Sequence, residues 1–209
     1  MISSRRPYLY ALLAILFWST VPTAFKIGLH GLDILPMLTI ASLTSATVLF
    51  IILLSSRKTG LLALSRPKEL AASALLGLIN PFIYYLILLK AYSLLPAQIA
   101  QPLNMVWPII LVFLSVPILG QKIKSKSFVA LLISFAGVYV ISSRGNLFNP
   151  GHSDLKGVLL ALGSSLFWAL YFIFNVKDKR DETVKLFLNF LFGSMYLIAT
   201  MIITRKWAS

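Results

Sequence analysis

Long apolar stretches separated by short polar ones set the character of this chain. Crossing a hydrocarbon core of about 30 Å takes about 20 mostly apolar helical residues. Seven runs of that kind follow one another, at 8 to 29, 34 to 54, 70 to 94, 97 to 119, 127 to 143, 155 to 175 and 184 to 203. Each is predicted to be helical, because a bilayer offers backbone polar groups no partner and the runs are far too long for barrel strands. The first run follows Arg5 and Arg6 as a secretory signal would, but no A-x-A cleavage site comes after it and it is longer than such a signal's apolar core. It is read as a retained span. The fold class expected is therefore all-α, a polytopic membrane helical bundle of seven transmembrane helices. Links as short as 30 to 33 and Leu95-Pro96 make the helices they join antiparallel neighbours. The longest outer connection, 144 to 154, holds Gly145, Asn146, Asn149, Pro150 and Gly151, turn-formers that mark a boundary between two bundles.

Composition sharpens this picture. Of 209 residues, 58% are apolar and 12% charged, against about 45–50% and about 25% in an ordinary soluble domain. The absence of cysteine excludes a disulfide framework, a thiolate metal site and a cysteine nucleophile. A net charge of +13 would suggest nucleic acid in a soluble protein, but here the basic residues lie in short clusters between apolar runs, which argues against that partner. Cytoplasmic loops accumulate Lys and Arg. One set of alternate connections holds Arg5, Arg6, Arg57, Lys58, Arg66, Lys68, Lys122, Lys124, Lys126, Lys177, Lys179, Arg180 and Lys185, whereas the other holds Arg144, Lys156, Arg205 and Lys206. This bias predicts a multi-pass protein of the cell membrane with its N-terminus in the cytoplasm and, after seven spans, its C-terminus outside.

The chemistry available inside the membrane is limited. All six carboxylates, Asp33, Glu69, Asp154, Asp178, Asp181 and Glu182, fall at span ends or in loops, and His30 and His152 stand alone in outer connections. No catalytic pair, metal cluster, membrane-embedded proton relay or nucleotide motif is expected, hence no enzyme, no cofactor and no metal. Polar groups and helix breakers concentrate instead on the third and fourth spans: Asn80-Pro81, then Gln98, Gln101, Pro102, Asn104 and Pro108. Irregular backbone at membrane depth needs protein or a watery cavity to cover it, so two readings stand, a cavity or ordinary interhelical packing. Asn80 and Tyr84, four residues apart, are expected to share a stripe from which Tyr85 is turned away. Lys26 and Lys90, near the outer ends of spans one and three, either snorkel to the headgroups or make an outward vestibule attractive to anions. Trp18 and Trp168 fall midway along their helices, as packing or cavity-wall residues. Gly157, Ala161, Ser165 and Ala169, spaced by four, form a close-packing seam.

Offsetting the chain by 150 residues places Ala11, Leu12, Leu16, Phe17 and Trp18 over Ala161, Leu162, Leu166, Phe167 and Trp168. Five spans separate the two copies, so the second enters from the opposite face, as in the inverted repeats of many transporters. On those residues, and on Tyr84-Tyr85 through Ala91, Leu95-Pro96-Ala97 with Pro102, Leu119-Gly120-Gln121, and Gly137 to Ile141, the chain resembles the EamA-type transporters of the drug/metabolite transporter superfamily. It departs from them in having Gln121 where a glutamate is usual, in having no arginine near Ser42, and in lacking counterparts of the last three of ten helices. The expected organisation is a first EamA-like five-helix unit over 1 to 145, and the start of an inverted second unit over 146 to 209, completed by the missing C-terminal helices or by a second copy in a homodimer. The resemblance implies a secondary transporter that moves a small organic metabolite by alternating access, with export as its direction. The alternative is a non-transporting truncated membrane protein or a helical interaction module needing a partner. The substrate-binding candidates are Asn80, Tyr84, Gln101, Asn104, Trp18, Trp168 and Lys90.

Overall fold

A computed structural model describes residues 5–123, 125–143 and 154–205. The described residues are helical with no strand. α1 (Arg5–Gly31) and α2 (Ile34–Ser55) form the first hairpin, and a single turn, α3 (Gly60–Ala63), precedes the third span. That span is composite: α4 (Pro67–Gly77), a π-helical segment (Leu78–Ile83) and α5 (Tyr84–Leu94). The fourth is also broken, into α6 (Ala97–Asn104) and α7 (Trp107–Leu119), and α8 (Ser125–Ser142), α9 (Leu155–Lys177) and α10 (Glu182–Thr204) follow. Six of the described helical segments are long and apolar enough to cross a membrane, making this a polytopic membrane bundle. The expected run at 127 to 143 corresponds to the 18-residue α8.

Local chemistry explains the boundaries. Pro67 opens α4, where its missing N–H costs nothing, and the Glu69 carboxylate accepts from the Arg66 backbone N–H at 2.7 Å. Asp154 and Asp181 cap α9 and α10 by accepting from the first free N–H groups. Gly120 closes α7 in the left-handed conformation, φ 68°. Inside the third span, Pro81 cannot donate to the preceding turn. Asn80 there adopts extended φ and ψ of −146° and 121°.

α10 packs against α2, α4 and the π segment, and α9 against α5, α6 and α7, so the two helices that follow the expected boundary are threaded among those that precede it. α8 lies beside α6, and α1 rests lightly on α2, α5 and α6. Without a hydrophobic drive between helices in lipid, small residues permit the close approaches. Gly157, Ala161, Ser165 and Ala169 are all buried on α9. Gly77 of α4 faces Gly193 of α10 so closely that a Cβ on Gly77 would meet the Asn189 carbonyl oxygen at 2.5 Å and the Gly193 nitrogen at 2.9 Å.

The two ends of the bundle are distinguishable. Lys58 pairs with Asp181 at 2.6 Å, and Arg180 Nη2 donates to Ser73 Oγ at 2.7 Å, so the connections after α2 and after α9 share one end, the basic one. Gly157 lies against Leu94 and Leu95, which puts the start of α9 at the opposite end with the α5–α6 turn. α1 and α9 consequently run in opposite directions. At the basic end, Arg180 also grips Asp178, with Nη2 and Oδ2 2.5 Å apart. Burial opposes ionisation of Asp178, but the hydrogen bonds and charge of Arg180, with Lys185 nearby, outweigh it and hold the carboxyl below its ordinary value. The hydrogen bond from Lys58, the main influence on Asp181, lowers that carboxyl too. Lys185, counted above as a loop residue, is 2% exposed. Its ammonium closes the C-terminal end of α9, donating to the Asn175 and Asp178 carbonyls at 2.9 and 3.2 Å, and pairs with Glu182 at 2.8 Å. The connection expected to divide the chain, with Arg144 and His152, lies outside the described residues, as do Lys124 and Lys206.

Candidate functional site

The breaks in the third and fourth spans fall beside a hollow. α1 contributes Trp18, Val21 and Phe25; α5 contributes Tyr84, Tyr85 and Leu88; the α6–α7 break contributes Gln101, Asn104, Met105 and Trp107; α9 contributes Trp168. Pro22 interrupts the hydrogen-bond ladder of α1 beside Val21. The small stripe on α9 lets that helix come close enough for Trp168 to reach Tyr84, with ring centroids 4.8 Å apart, and Trp107 at 6.3 Å.

A polar chain crosses the wall. The Tyr84 hydroxyl donates to Asn104 Oδ1 at 3.3 Å, Asn104 Nδ2 donates to Ser164 Oγ at 2.9 Å, and Ser164 Oγ donates to the Ala161 carbonyl at 2.6 Å. Three helices are thereby joined at a side chain only 1% exposed. A second link joins the Tyr92 hydroxyl to Gln101 Oε1. Tyr92 is completely buried, its ring 5.7 Å from that of Phe25, and its backbone carbonyl accepts from the Lys26 ammonium. Tyr92 stands between the aromatic hollow and a second one, whose lining includes Lys26, His30, Asp33, Lys90 and Ser93.

Trp18, Tyr84, Gln101, Asn104 and Trp168 therefore line one hollow, and two of the sequence candidates lie elsewhere. Asn80 is 2% exposed and away from the hollow, with no hydrogen-bond partner for its Oδ1 among the described residues. Its extended backbone interrupts the helical register, so the four-residue spacing to Tyr84 does not define a stripe. Lys90 faces the second hollow. Tyr85, expected to turn away, also lines the first, because the hollow wraps around this part of α5. Tyr84 reaches towards α9, while Tyr85 meets Phe25 of α1 edge-on at 5.8 Å. Phe25, Val21, Leu88 and Met105 were not singled out as lining residues by the sequence. For Phe25 a signal existed, since it stands seven residues, two helical turns, beyond Trp18. Among the described residues no group of three His, Cys, Asp or Glu is placed to hold a metal ion.

A multi-pass helical membrane protein whose broken helices surround an aromatic, amide-bearing hollow is the class that fold and site define. The chain belongs to the EamA-like transporter family, whose profile matches residues 5–143. It is 29% identical over 135 residues to the uncharacterized transporter YvbV of Bacillus subtilis, a match covering 64% of this chain and 43% of that relative. An uncharacterized transporter of Clostridium kluyveri is 25% identical over 208 residues, 97% of this chain and 67% of the relative. One from Archaeoglobus fulgidus is 23% identical over 163 residues, 78% of this chain and 55% of the relative. The chain thus spans less than half the length of the first of these relatives and about two thirds of the second. No solved structure matches it significantly. The family and these relatives are named as transporters and not as enzymes.

Proposed function

We propose that this protein is a secondary transporter that moves a small organic solute by alternating access, with the aromatic hollow as its binding site and export as its direction. The observation that carries this reading is the meeting of Trp18 and Trp168 at one hollow from helices that run in opposite directions. The two tryptophans belong to the segments that match across the 150-residue offset, as an inverted repeat about a midplane site requires. Residues 1 to 145 form the first unit in this reading, and 146 to 209 begin its inverted copy. The Tyr92–Gln101 bond and the Phe25–Tyr92 ring contact close the hollow at the end opposite the basic one. Rocking α1 and α6 away from α5 would break both contacts and open that end. The sparse packing of α1 suits it to this movement.

The test is solute flux through the complete native polypeptide in proteoliposomes, without ATP. Tyr84→Phe and Asn104→Leu are expected to lower flux several-fold while expression and melting temperature stay sufficient for reconstitution, and Trp168→Ala is expected to lower it further. Undiminished flux in all three variants would overturn the assignment of the site.

A further inference from the structure

We infer that the solute is an amphipathic organic anion: an aromatic or apolar body for the inner hollow and a carboxylate that the outer hollow receives. This inference rests on the transport reading above and adds the chemical class of what is carried. The outer hollow presents the ammonium groups of Lys26 and Lys90, together with His30 and Ser93, against the single carboxylate of Asp33. Lys26 does not snorkel away from the protein. Its ammonium is turned inward to the Tyr92 carbonyl, which occupies one of its three N–H donors. Lys90 is exposed and lines the same space.

The inner hollow has a complementary bias. It is lined by six aromatic rings and by no carboxylate, ammonium or imidazole. Both side-chain amide oxygens in its wall are already accepting, Asn104 from Tyr84 and Gln101 from Tyr92, and Asn104 Nδ2 is given to Ser164. Among these amides the Gln101 nitrogen is the donor left over. A cationic solute would find no counter-charge in the inner hollow at membrane depth, where an unpaired charge is costly, and would have to leave past two ammonium groups. A neutral solute would gain at most a hydrogen bond from Lys26 and Lys90, without the attraction of opposite charge. An anion with an apolar body satisfies both spaces. Tyr92 joins them, held by Lys26 at its carbonyl and by Gln101 at its hydroxyl. A carboxylate that reaches from the inner hollow to the Lys26 ammonium removes one of the two bonds holding Tyr92 in place, so a solute seated in the inner hollow favours opening towards the outer one.

The test compares 3-phenylpropionate, 3-phenylpropionamide and 3-phenylpropylammonium, which share a body and differ in charge, by tryptophan fluorescence titration of the complete polypeptide in nanodiscs. The carboxylate is expected to bind about tenfold tighter than either analogue, the size of one charge-assisted contact. Lys90→Met, which removes an exposed side chain with no hydrogen bond or ion pair among the described residues, should reduce that preference about threefold, and Lys26→Met with Lys90→Met should abolish it. Equal or tighter binding of the amide or the ammonium compound would overturn the anion assignment, as would a preference that survives the double substitution or a failure of all three compounds to bind. None of these results touches the Tyr84 and Asn104 flux test, so the transport reading stands or falls separately.

Discussion

Gly77 and Gly193 offer the sharpest test of how these helices are held together. A Cβ at Gly77 would lie 2.5 Å from the Asn189 carbonyl oxygen and 2.9 Å from the Gly193 nitrogen. Both are backbone atoms of α10, so no rotamer change relieves the overlap, and α4 and α10 must separate by most of an ångström. Overpacking of this kind costs about 1–3 kcal/mol, and backbone against backbone belongs at the upper end. The better helix propensity of alanine returns about 1 kcal/mol. Gly77→Ala is therefore expected to destabilise the protein by about 2 kcal/mol, the balance of those two terms. Gly163 of α9 supplies the contrast, since a Cβ there meets nothing within 4 Å. At that position only the propensity gain applies, and Gly163→Ala should raise stability by up to about 1 kcal/mol. Differential scanning fluorimetry on tryptophan emission in detergent compares the variants directly, with the wild-type chain between them. If Gly77→Ala melts at or above Gly163→Ala, α4 and α10 do not approach each other as closely as these contacts require.

Other expectations follow from the same contacts. In a double-mutant cycle, Tyr84→Phe and Asn104→Leu should couple by about 0.6–1.7 kcal/mol, the range of interhelical hydrogen bonds in bilayers; simple additivity would show that the bond between them is not formed. Lys185→Met should cost about 1–3 kcal/mol by leaving two carbonyls at the end of α9 without their donor, and an unchanged melting temperature would contradict that capping role. Asp178 and Asp181 are held below their ordinary values in the folded chain, so the stability they contribute is complete above about pH 4 and is lost as pH falls through the lowered values. A melting-temperature series from pH 7 to pH 3 should show that acid loss, and Arg180→Gln should flatten it; an unaltered acid profile in the variant would refute the assignment of the ion pair.

How much of this was legible in the sequence differs from residue to residue. The spans were, because about 20 apolar residues in succession have one use and the bilayer enforces helix. Trp18 and Trp168 emerged from the internal match, and Gln101 and Asn104 from the density of polar groups near Pro102 and Pro108. Asn80 shows where periodicity stops helping. A helical wheel assumes an unbroken helix, and the extended backbone at Asn80 cuts the wheel between it and Tyr84. Tyr85 shows a second limit, since knowing which way a side chain turns does not reveal that α1 stands there to enclose it. Lys185 looked like a loop charge because its partners, two backbone carbonyls at the end of the preceding helix, have no signature in side-chain pattern.

The polar partners that cross the bundle bear on how the chain is made. Ser42 meets Ser194 at 2.8 Å, Asn104 meets Ser164 at 2.9 Å, and the Ala74 carbonyl accepts from Tyr196 at 3.2 Å. In each pair one member precedes residue 143, where the family match ends, and the other follows it. A nascent chain that has inserted only its first helices lacks the second member of each pair. These bonds form only once the α9–α10 hairpin is delivered.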